Sequence, residues 1–397
     1  KYSANVIQPL ATGNSVRLTP KLYKDHHKIR LGYISGDFRE HPLARLVAEM
    51  FELHDRDRFE VYAYCYSQDD QSAIRTRLIQ GVDNFCSIKA LSPGAAAQRI
   101  QEDEIDILID LTGYTGNSRT EILALRPAAI QVSYLGYLAT SGSDFIDYIV
   151  ADAQAIPESA DRWFSEKVVR LPFYQVSDRH RTMGAPASRQ ALGLPDDAVV
   201  YCCFNQPYKI TPDVFSRWMN ILRAVPKAVL WLYAFNPHTR ENLAAAAQAQ
   251  GIDSSRIIFA QRVSMEDYLA RMRMADLFLD TSPYNGGATA SDALWAGLPV
   301  LTCPGTSFAS RMCASLVKAA GSPELIADSP EAYEQLAIAL GQAPLRLKRI
   351  ARRLETQRQH MTLFDCPKTL ADLEQAYEKM RQIAHRGDAP QTIEIES

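Results

Sequence analysis

Short apolar runs alternate with amphipathic helical stretches along almost the whole chain, and nothing else restricts its fold as strongly. Ile29–Ser35, Phe59–Tyr66, Asn84–Ile88, Ile107–Leu111 and Ile130–Tyr134 read as short strands. Helical patterns over Leu43–Leu53, Ala73–Gln80, Ala95–Glu102 and Arg119–Leu125 separate them, and further strands are expected at Phe145–Val150 and Val168–Leu171. A second block repeats the alternation, with strands Val199–Phe204, Val229–Tyr233, Ile257–Phe259, Leu277–Leu279 and Val300–Leu301. Its helices are expected over Pro212–Arg223, Thr239–Gln250, Met265–Met274, Ser291–Ala296 and Ser307–Ala319. Repeated strand–helix–strand units imply α/β architecture, with parallel sheets covered by helices on both faces. At 397 residues the chain is too long for one core, so two domains are expected. They join near Ser177–Asp197, rich in Ser, Arg, Gly and Pro. Two such domains facing each other would leave a cleft between strand ends, the default ligand site.

Bulk properties narrow the function class. Net charge is −3, from 43 basic and 46 acidic residues with no basic block, so a nucleic-acid partner is not expected. The basic helical run at residues 344–360 reads as a solvated face. The seven cysteines show no CxxC pair or Cys/His spacing, so they read as reduced core thiols of a cytoplasmic protein, with no metal cluster. No apolar run reaches membrane-span length and no signal peptide is visible, so no membrane partner is expected. The chain starts at Lys1 rather than Met, which fits a piece of something longer.

Five clusters at expected strand ends carry chemistry. After Val199–Phe204 come Asn205, Gln206, Tyr208 and Lys209, then Pro212 at a helix start. A lysine there suits a diphosphate, because it brings a mobile point charge with three donors; a solvated loop lysine is the plainer alternative. After the first strand, Ser35–Gly–Asp–Phe–Arg–Glu–His–Pro42 places His41 at the mouth of a helix. That histidine either meets a substrate or caps the helix. The loops Leu111–Arg119 and Tyr134–Gly142, rich in Gly, Ser and Thr, let backbone approach a sugar or phosphate closely. Tyr268 and Arg271, three residues apart, share a helix face that either stacks a flat base or is ordinary surface. Finally, Asp280 ends a strand, Gly286 and Gly287 follow, and a helix starts near Ala288–Ser291. Its first N–H groups suit a diphosphate, and Asp292, one turn in, suits ribose hydroxyls.

These clusters resemble the catalytic region of the O-GlcNAc transferase / SPINDLY family of glycosyltransferases. The matching runs are GYISGDFREHP, LALRPAAIQVSYLGYLATSGSDFIDYIVAD, YCCFNQPYKITP, DLFLDTSPYNGG and DALWAGLPVLTCPG, in one collinear order over residues 28 to 382. The resemblance implies a GT-B fold of two Rossmann-like domains facing across a cleft. The expected layout is a linker over 1–28 from upstream tetratricopeptide repeats and an N-terminal catalytic domain over 29–180. A nucleotide-sugar domain over 190–365 follows, then a helix over 366–385 packing back on the first domain and a disordered tail over 386–397. It also implies inverting, metal-independent transfer, without a cofactor, from a UDP-sugar (UDP-GlcNAc foremost) to Ser or Thr of a protein acceptor.

By the same resemblance, Lys209 holds the diphosphate with Gln206 beside it, Thr289 binds diphosphate and Asp292 binds ribose. Val263 through its backbone, Tyr268 and Arg271 form the base pocket. Leu135 and Gly136 lie over the donor sugar, and His41 contacts the reacting groups or acts as base. The chain departs from the family where Gly287 and Ala288 replace a histidine and a threonine, where Met265 replaces a lysine, and where Leu43 and Leu138 replace a threonine and a proline. Fewer side-chain donors in the sugar wall leave UDP-glucose to Asn, GDP-fucose to Ser/Thr, or a non-catalytic nucleotide-sugar-binding role as alternatives.

Overall fold

Both sheets are parallel throughout, and in each the strand order reverses between two central strands. The computed structural model describes residues 18–185 and 187–396. From the amino end run β1 (Ile29–Ser35), α1 (Pro42–Leu53), β2 (Phe59–Cys65), α2 (Ala73–Gln80), β3 (Asn84–Ser87) and α3 (Pro93–Glu102). Then come β4 (Ile107–Asp110), α4 (Thr120–Ala124), β5 (Ile130–Ser133), β6 (Tyr148–Asp152) and β7 (Lys167–Leu171). The second set is β8 (Val200–Cys203), α5 (Pro212–Ala224), β9 (Val229–Tyr233), α6 (Pro237–Ala249), β10 (Ile257–Ala260) and α7 (Met265–Met272). It continues with β11 (Leu277–Leu279), α8 (Ala288–Trp295), β12 (Val300–Leu301), α9 (Met312–Ala319), α10 (Pro330–Gly341) and α11 (Pro344–Gln357). The chain closes with α12 (Cys366–His385) and β13 (Ile393–Glu394).

One compact unit holds the described residues to Arg179 and from Asp365 on; the other is His180–Phe364. The first has an eight-stranded sheet in the order β13-β7-β6-β5-β4-β1-β2-β3, and the second a five-stranded sheet in the order β10-β9-β8-β11-β12. The reversal falls between β1 and β4, where Ile34 pairs with Asp110, and between β8 and β11, where Cys202 pairs with Phe278. At such a point neighbouring strands send their connections to opposite faces, which opens a crevice beyond their carboxyl ends. The loops after β1, β4, β8 and β11 are therefore where each unit can take a ligand.

Local chemistry starts the helices where the sequence demands. Ser92–Pro93, Thr211–Pro212, Asn236–Pro237 and Ser329–Pro330 each pair an N-cap side chain that accepts a backbone N–H with a proline at the first helical position. His41–Pro42 follows the same rule, with imidazole as the acceptor.

The long α12 packs against α1, β5 and β7 within the first unit. A buried polar chain ties it down. Tyr377 Oη lies 3.3 Å from Tyr33 Oη, which lies 2.9 Å from His54 Nε2, and His54 Nδ1 lies 2.8 Å from Glu374 Oε1. The Asp55 backbone N–H donates to the same carboxylate oxygen at 3.0 Å.

Three boundaries differ from the sequence expectation. The tail from 386 is not disordered: Ile393 and Glu394 pair with Val169 and Arg170 of β7, and Ile393 and Ile395 are buried. Two apolar residues alternating within a polar run are too few to stand out as a strand pattern. Residues 1–17 of the expected linker lie outside the described residues, but 18–28 are tied to the first unit. Leu18 N donates to Leu125 O, Tyr23 Oη to Gln101 O, and His26 bridges Glu104 and Asp106. Polar ties of this kind leave no hydrophobic period. The second unit begins at His180 rather than 190, since Arg181 and Gly184 bond to α8 and α7 residues.

Candidate active site

In the second unit the site grows from the ends of β8 and β11. Asp280, directly after β11, is buried and holds the next turn: Oδ1 accepts from Gly286 N at 2.7 Å and from Asn205 Nδ2 at 3.2 Å, and Oδ2 from Thr302 Oγ1 at 2.7 Å. Burial pushes its carboxyl up, against those hydrogen bonds. Asn205 Nδ2 also reaches Thr281 Oγ1 at 2.8 Å, so β8 and β11 are stitched together beyond the sheet. A Cβ on Gly286 would lie 2.7 Å from Asn205 Oδ1, and only glycine fits there. Asn205 Oδ1 and Asn285 Oδ1 are buried without a protein donor, as groups that a ligand or water satisfies would be.

Lys209 closes a single 3-10 turn, Pro207–Lys209, with its N–H on the Gln206 carbonyl at 2.9 Å. Its ammonium donates to Asn285 O at 2.8 Å and sits 3.8 Å from the centre of the Tyr284 ring. Burial lowers its pKa from the ordinary 10.5, while the Asp280 carboxylate opposes the shift. The lysine is thus brought to the turn that leads into α8. Gly287 is the N-cap of α8 and offers no side-chain cap, so the half-buried start of α8 at Gly287, Ala288 and Thr289 has backbone N–H groups without a side-chain cap. The Gln206 side chain is exposed beside this turn.

Of the residues expected to form the base pocket, Arg271 is turned inward. Arg271 is 3% exposed, its guanidinium packed on the rings of Phe204, Tyr268 and Trp231 at 5.0, 5.3 and 5.9 Å. It donates through Nη1 to the Gln261 carbonyl, and burial lowers its pKa. The guanidinium therefore faces the core and braces the loop that follows β10 at Gln261, two residues before exposed Val263. Tyr268 is half-buried beside Phe204, and burial, then the Asp292 carboxylate, push its phenol well up. Asp292 itself is engaged by Arg181, whose Nη1 donates to Oδ1 at 2.9 Å. The sequence reading gives Asp280, Asn205, Asn285 and Arg181 no role. The first three lie in motifs already singled out, whereas Arg181 carries no local signal.

In the first unit the loops after β1 and β4 are interlocked. Ser35 Oγ lies 2.9 Å from Thr112 Oγ1, which accepts from Gly36 N at 3.2 Å. Buried Asp110 accepts from Thr112 N at 2.9 Å and Gly113 N at 3.1 Å, and burial pushes its carboxyl up. A Cβ on Gly136 would lie 1.8 Å from Leu111 O, so the loops after β4 and β5 run backbone against backbone. Leu135 beside it holds φ of 66°, a left-handed conformation that a leucine adopts only under constraint.

His41 is the N-cap of α1: Nδ1 accepts from Leu43 N at 3.2 Å, with Asp37 Oδ1 3.7 Å away. Burial lowers its pKa from 6.5, with Asp37 opposing. A neutral imidazole that accepts at Nδ1 carries its proton on Nε2, so the nitrogen away from the cap is a donor.

Two parallel α/β units with ligand loops at each reversal point are the layout of the GT-B fold class, and solved structures bear the fold out. The chain is 32% identical to a point mutant of the Thermobaculum terrenum O-GlcNAc transferase, with a TM-score of 0.86 over 94% of this chain and 71% of that one. Anabaena HepE, solved with UDP and glucose, shares the fold at 14% identity, with a TM-score of 0.59 over 88% of this chain and all of that one (100%). The chain belongs to glycosyl transferase family 41, whose pattern matches residues 10–185 and 179–373. It is 37% identical over 376 residues to the probable UDP-N-acetylglucosamine–peptide N-acetylglucosaminyltransferase SEC of Arabidopsis thaliana, covering 93% of this chain and 38% of that protein. The chain spans about two fifths of the length of the curated relatives it matches, 38% to 41% of each. Among the described residues no helix is long and apolar enough to cross a membrane.

Proposed function

We propose that this chain moves N-acetylglucosamine from UDP-GlcNAc to serine and threonine hydroxyls of protein acceptors, inverting the anomeric carbon and using no metal or cofactor. Lys209 carries this reading: a half-buried ammonium anchored to the turn that opens α8, in a chain whose family relatives are named for this transfer. As the glycosidic bond breaks, negative charge builds on the leaving UDP. Lys209 and the first N–H groups of α8 would meet it already oriented, so little reorganisation is needed. Asp292 would take the ribose, the Val263 backbone and Tyr268 the uracil, and Leu135 and Gly136 the sugar. Arg271 would act on the base indirectly, by bracing the Gln261 carbonyl. His41 would donate from Nε2 to an oxygen of the reacting groups, and the acceptor hydroxyl would pass its proton to a phosphate oxygen of the donor as the bond from the anomeric carbon to UDP breaks. Partners on this reading are a UDP-sugar and a protein, with neither nucleic acid nor membrane.

Gly287 and Ala288 support a second reading, in which a wall with fewer side-chain donors takes UDP-glucose or another sugar nucleotide. One experiment separates the two. The chain is incubated with acceptor proteins and, in turn, UDP-GlcNAc, UDP-glucose and GDP-fucose, and the products are weighed by mass spectrometry. An N-acetylhexosamine on Ser or Thr is expected. A hexose or deoxyhexose in its place would establish the second reading, and nucleotide binding without transfer from any donor would sink both.

A further inference from the structure

Arg181 belongs to none of the motifs that mark the site, yet its guanidinium is set against side chains about one turn into α8. Nη1 donates to Asp292 Oδ1 at 2.9 Å and Nη2 to Ser291 Oγ at 3.1 Å. The side chain is only 8% exposed, and its Cζ lies 5.6 Å from the Trp295 ring centre and 5.7 Å from that of Phe364. Two forked hydrogen bonds to neighbouring side chains and two aromatic faces fix the guanidinium in position and in rotation. A lysine could supply the charge but not the fork. If the segment after His180 merely needed fastening to this unit, Gly184 already does so, through its N–H on Glu266 O at 2.9 Å. What Arg181 adds is control of one carboxylate.

That carboxylate stands about one turn from the start of α8, where a diphosphate would settle. Without the Arg181 charge beside it, Asp292 would repel the diphosphate more strongly through a partly buried medium, in which like charges are poorly screened. Without the Arg181 hydrogen bond it would also be held less firmly, and a carboxylate reads a pair of sugar hydroxyls well only when its plane is fixed. We propose that Arg181 is a positioning residue for the nucleotide. By clamping Asp292 it sets the orientation in which the carboxylate meets the ribose, and by neutralising it admits the diphosphate beside it. The proposal rests on Asp292 being the ribose contact of the function proposed above.

The test is calorimetric titration of the chain with UDP, 2′-deoxy-UDP and 3′-deoxy-UDP, for wild type, Arg181→Gln, Arg181→Lys and Asp292→Asn. Wild type should prefer UDP over at least one deoxy analogue by roughly tenfold or more, the worth of a hydrogen bond to a charged group. Arg181→Gln should weaken UDP about tenfold and shrink that preference below about threefold, because the hydroxyl contact is no longer held. Arg181→Lys should fall between, and its ratio decides the matter if the glutamine variant does not fold. An unchanged preference in the folded variant would overturn the positioning role and leave Arg181 a brace. A wild type that binds UDP and both deoxy analogues equally would instead overturn the ribose contact itself, and Asp292→Asn would then bind all three as wild type does.

Discussion

Replacing Lys209 should cost catalysis far more than it costs the fold, and the structure sets the scale. The ammonium is 2.8 Å from the Asn285 carbonyl and 3.8 Å from the Tyr284 ring centre, half-buried at the turn before α8. A unit charge about 4 Å from a diphosphate oxygen, at an effective permittivity of about 20, is worth roughly 4 kcal/mol. UDP already carries charge before the bond breaks, so about half of that, ~2 kcal/mol, acts on binding and about as much on the charge that develops in the transition state. Lys209→Ala should therefore bind UDP about 30-fold more weakly and turn over about 30-fold more slowly, a loss near 10³ in kcat/KM. Thermal unfolding should shift little, because the lost hydrogen bond to Asn285 is worth about 1 kcal/mol and water can replace it. Lys209→Gln separates charge from geometry: it can still donate to the carbonyl but brings no charge, and should be as slow as the alanine variant. The assays are UDP release under saturating acceptor and calorimetry with UDP. Turnover of the glutamine variant within about threefold of wild type would refute the electrostatic role, since that margin corresponds to less than ~1 kcal/mol.

Other outcomes are expected as well. Gly136→Ala, which drives a Cβ to within 1.8 Å of Leu111 O, should abolish activity and lower stability by several kcal/mol (roughly the upper range for point changes). Gly142→Ala, at φ of 62° with open space around it, should cost only about 1–2 kcal/mol, and equal losses in urea unfolding would count against the backbone contact. Glu374→Ala leaves the His54 ring and the Asp55 N–H without their acceptor and should cost ~2–4 kcal/mol, seen as faster hydrogen exchange in α12. Burial lowers the His54 pKa from 6.5, with Glu374 opposing, so the unfolded chain binds that proton more readily; stability should fall as pH drops below 6.5, and less steeply in His54→Gln. For His41, nitrogen NMR at neutral pH should find the proton on Nε2, and a proton on Nδ1 would remove the argument that it donates.

The architecture was legible because its signals are local. Strands Ile29–Ser35, Val229–Tyr233, Leu277–Leu279 and Val300–Leu301 fall where the apolar runs place them. The misses came where apolar residues serve something other than a strand or where their number was small. Phe145 and Ile146 are buried in the core, but in a loop whose Phe145 carbonyl is taken by Arg126 and Gln131, so β6 starts at Tyr148. The expected helix from Ser307 to Ala319 is broken near Arg311, because Ser307 and Ser310 close a capping box around a short 3-10 turn. Helix α10 is absent from the sequence reading, although Ser329–Pro330–Glu331 is a proper start; its Ala- and Leu-rich run has no clear polar face to set it off as amphipathic.

The candidate site was legible only down to the level of loops. Strand order decides which loops matter, and the residues following β1, β4, β8 and β11 are among those the sequence singles out, together with segments after β5 and β10. Side-chain direction was not available. Tyr268 and Arg271 do share a helix face, but spacing alone does not say whether a guanidinium points at a ligand or at three aromatic rings, and here it packs on the rings. A tryptophan on β9 and a phenylalanine after β8 make that box, and neither lies in the helix that carries Tyr268 and Arg271. The pairing of Arg181 with Asp292 joins residues 111 apart in the chain through a loop that has neither period nor motif. Such a pair is fixed by where two backbones end, and periodicity records only which way a backbone faces. Residues that act by holding other residues are therefore the ones a single sequence hides, and Arg181 and Asp280 are both of that kind.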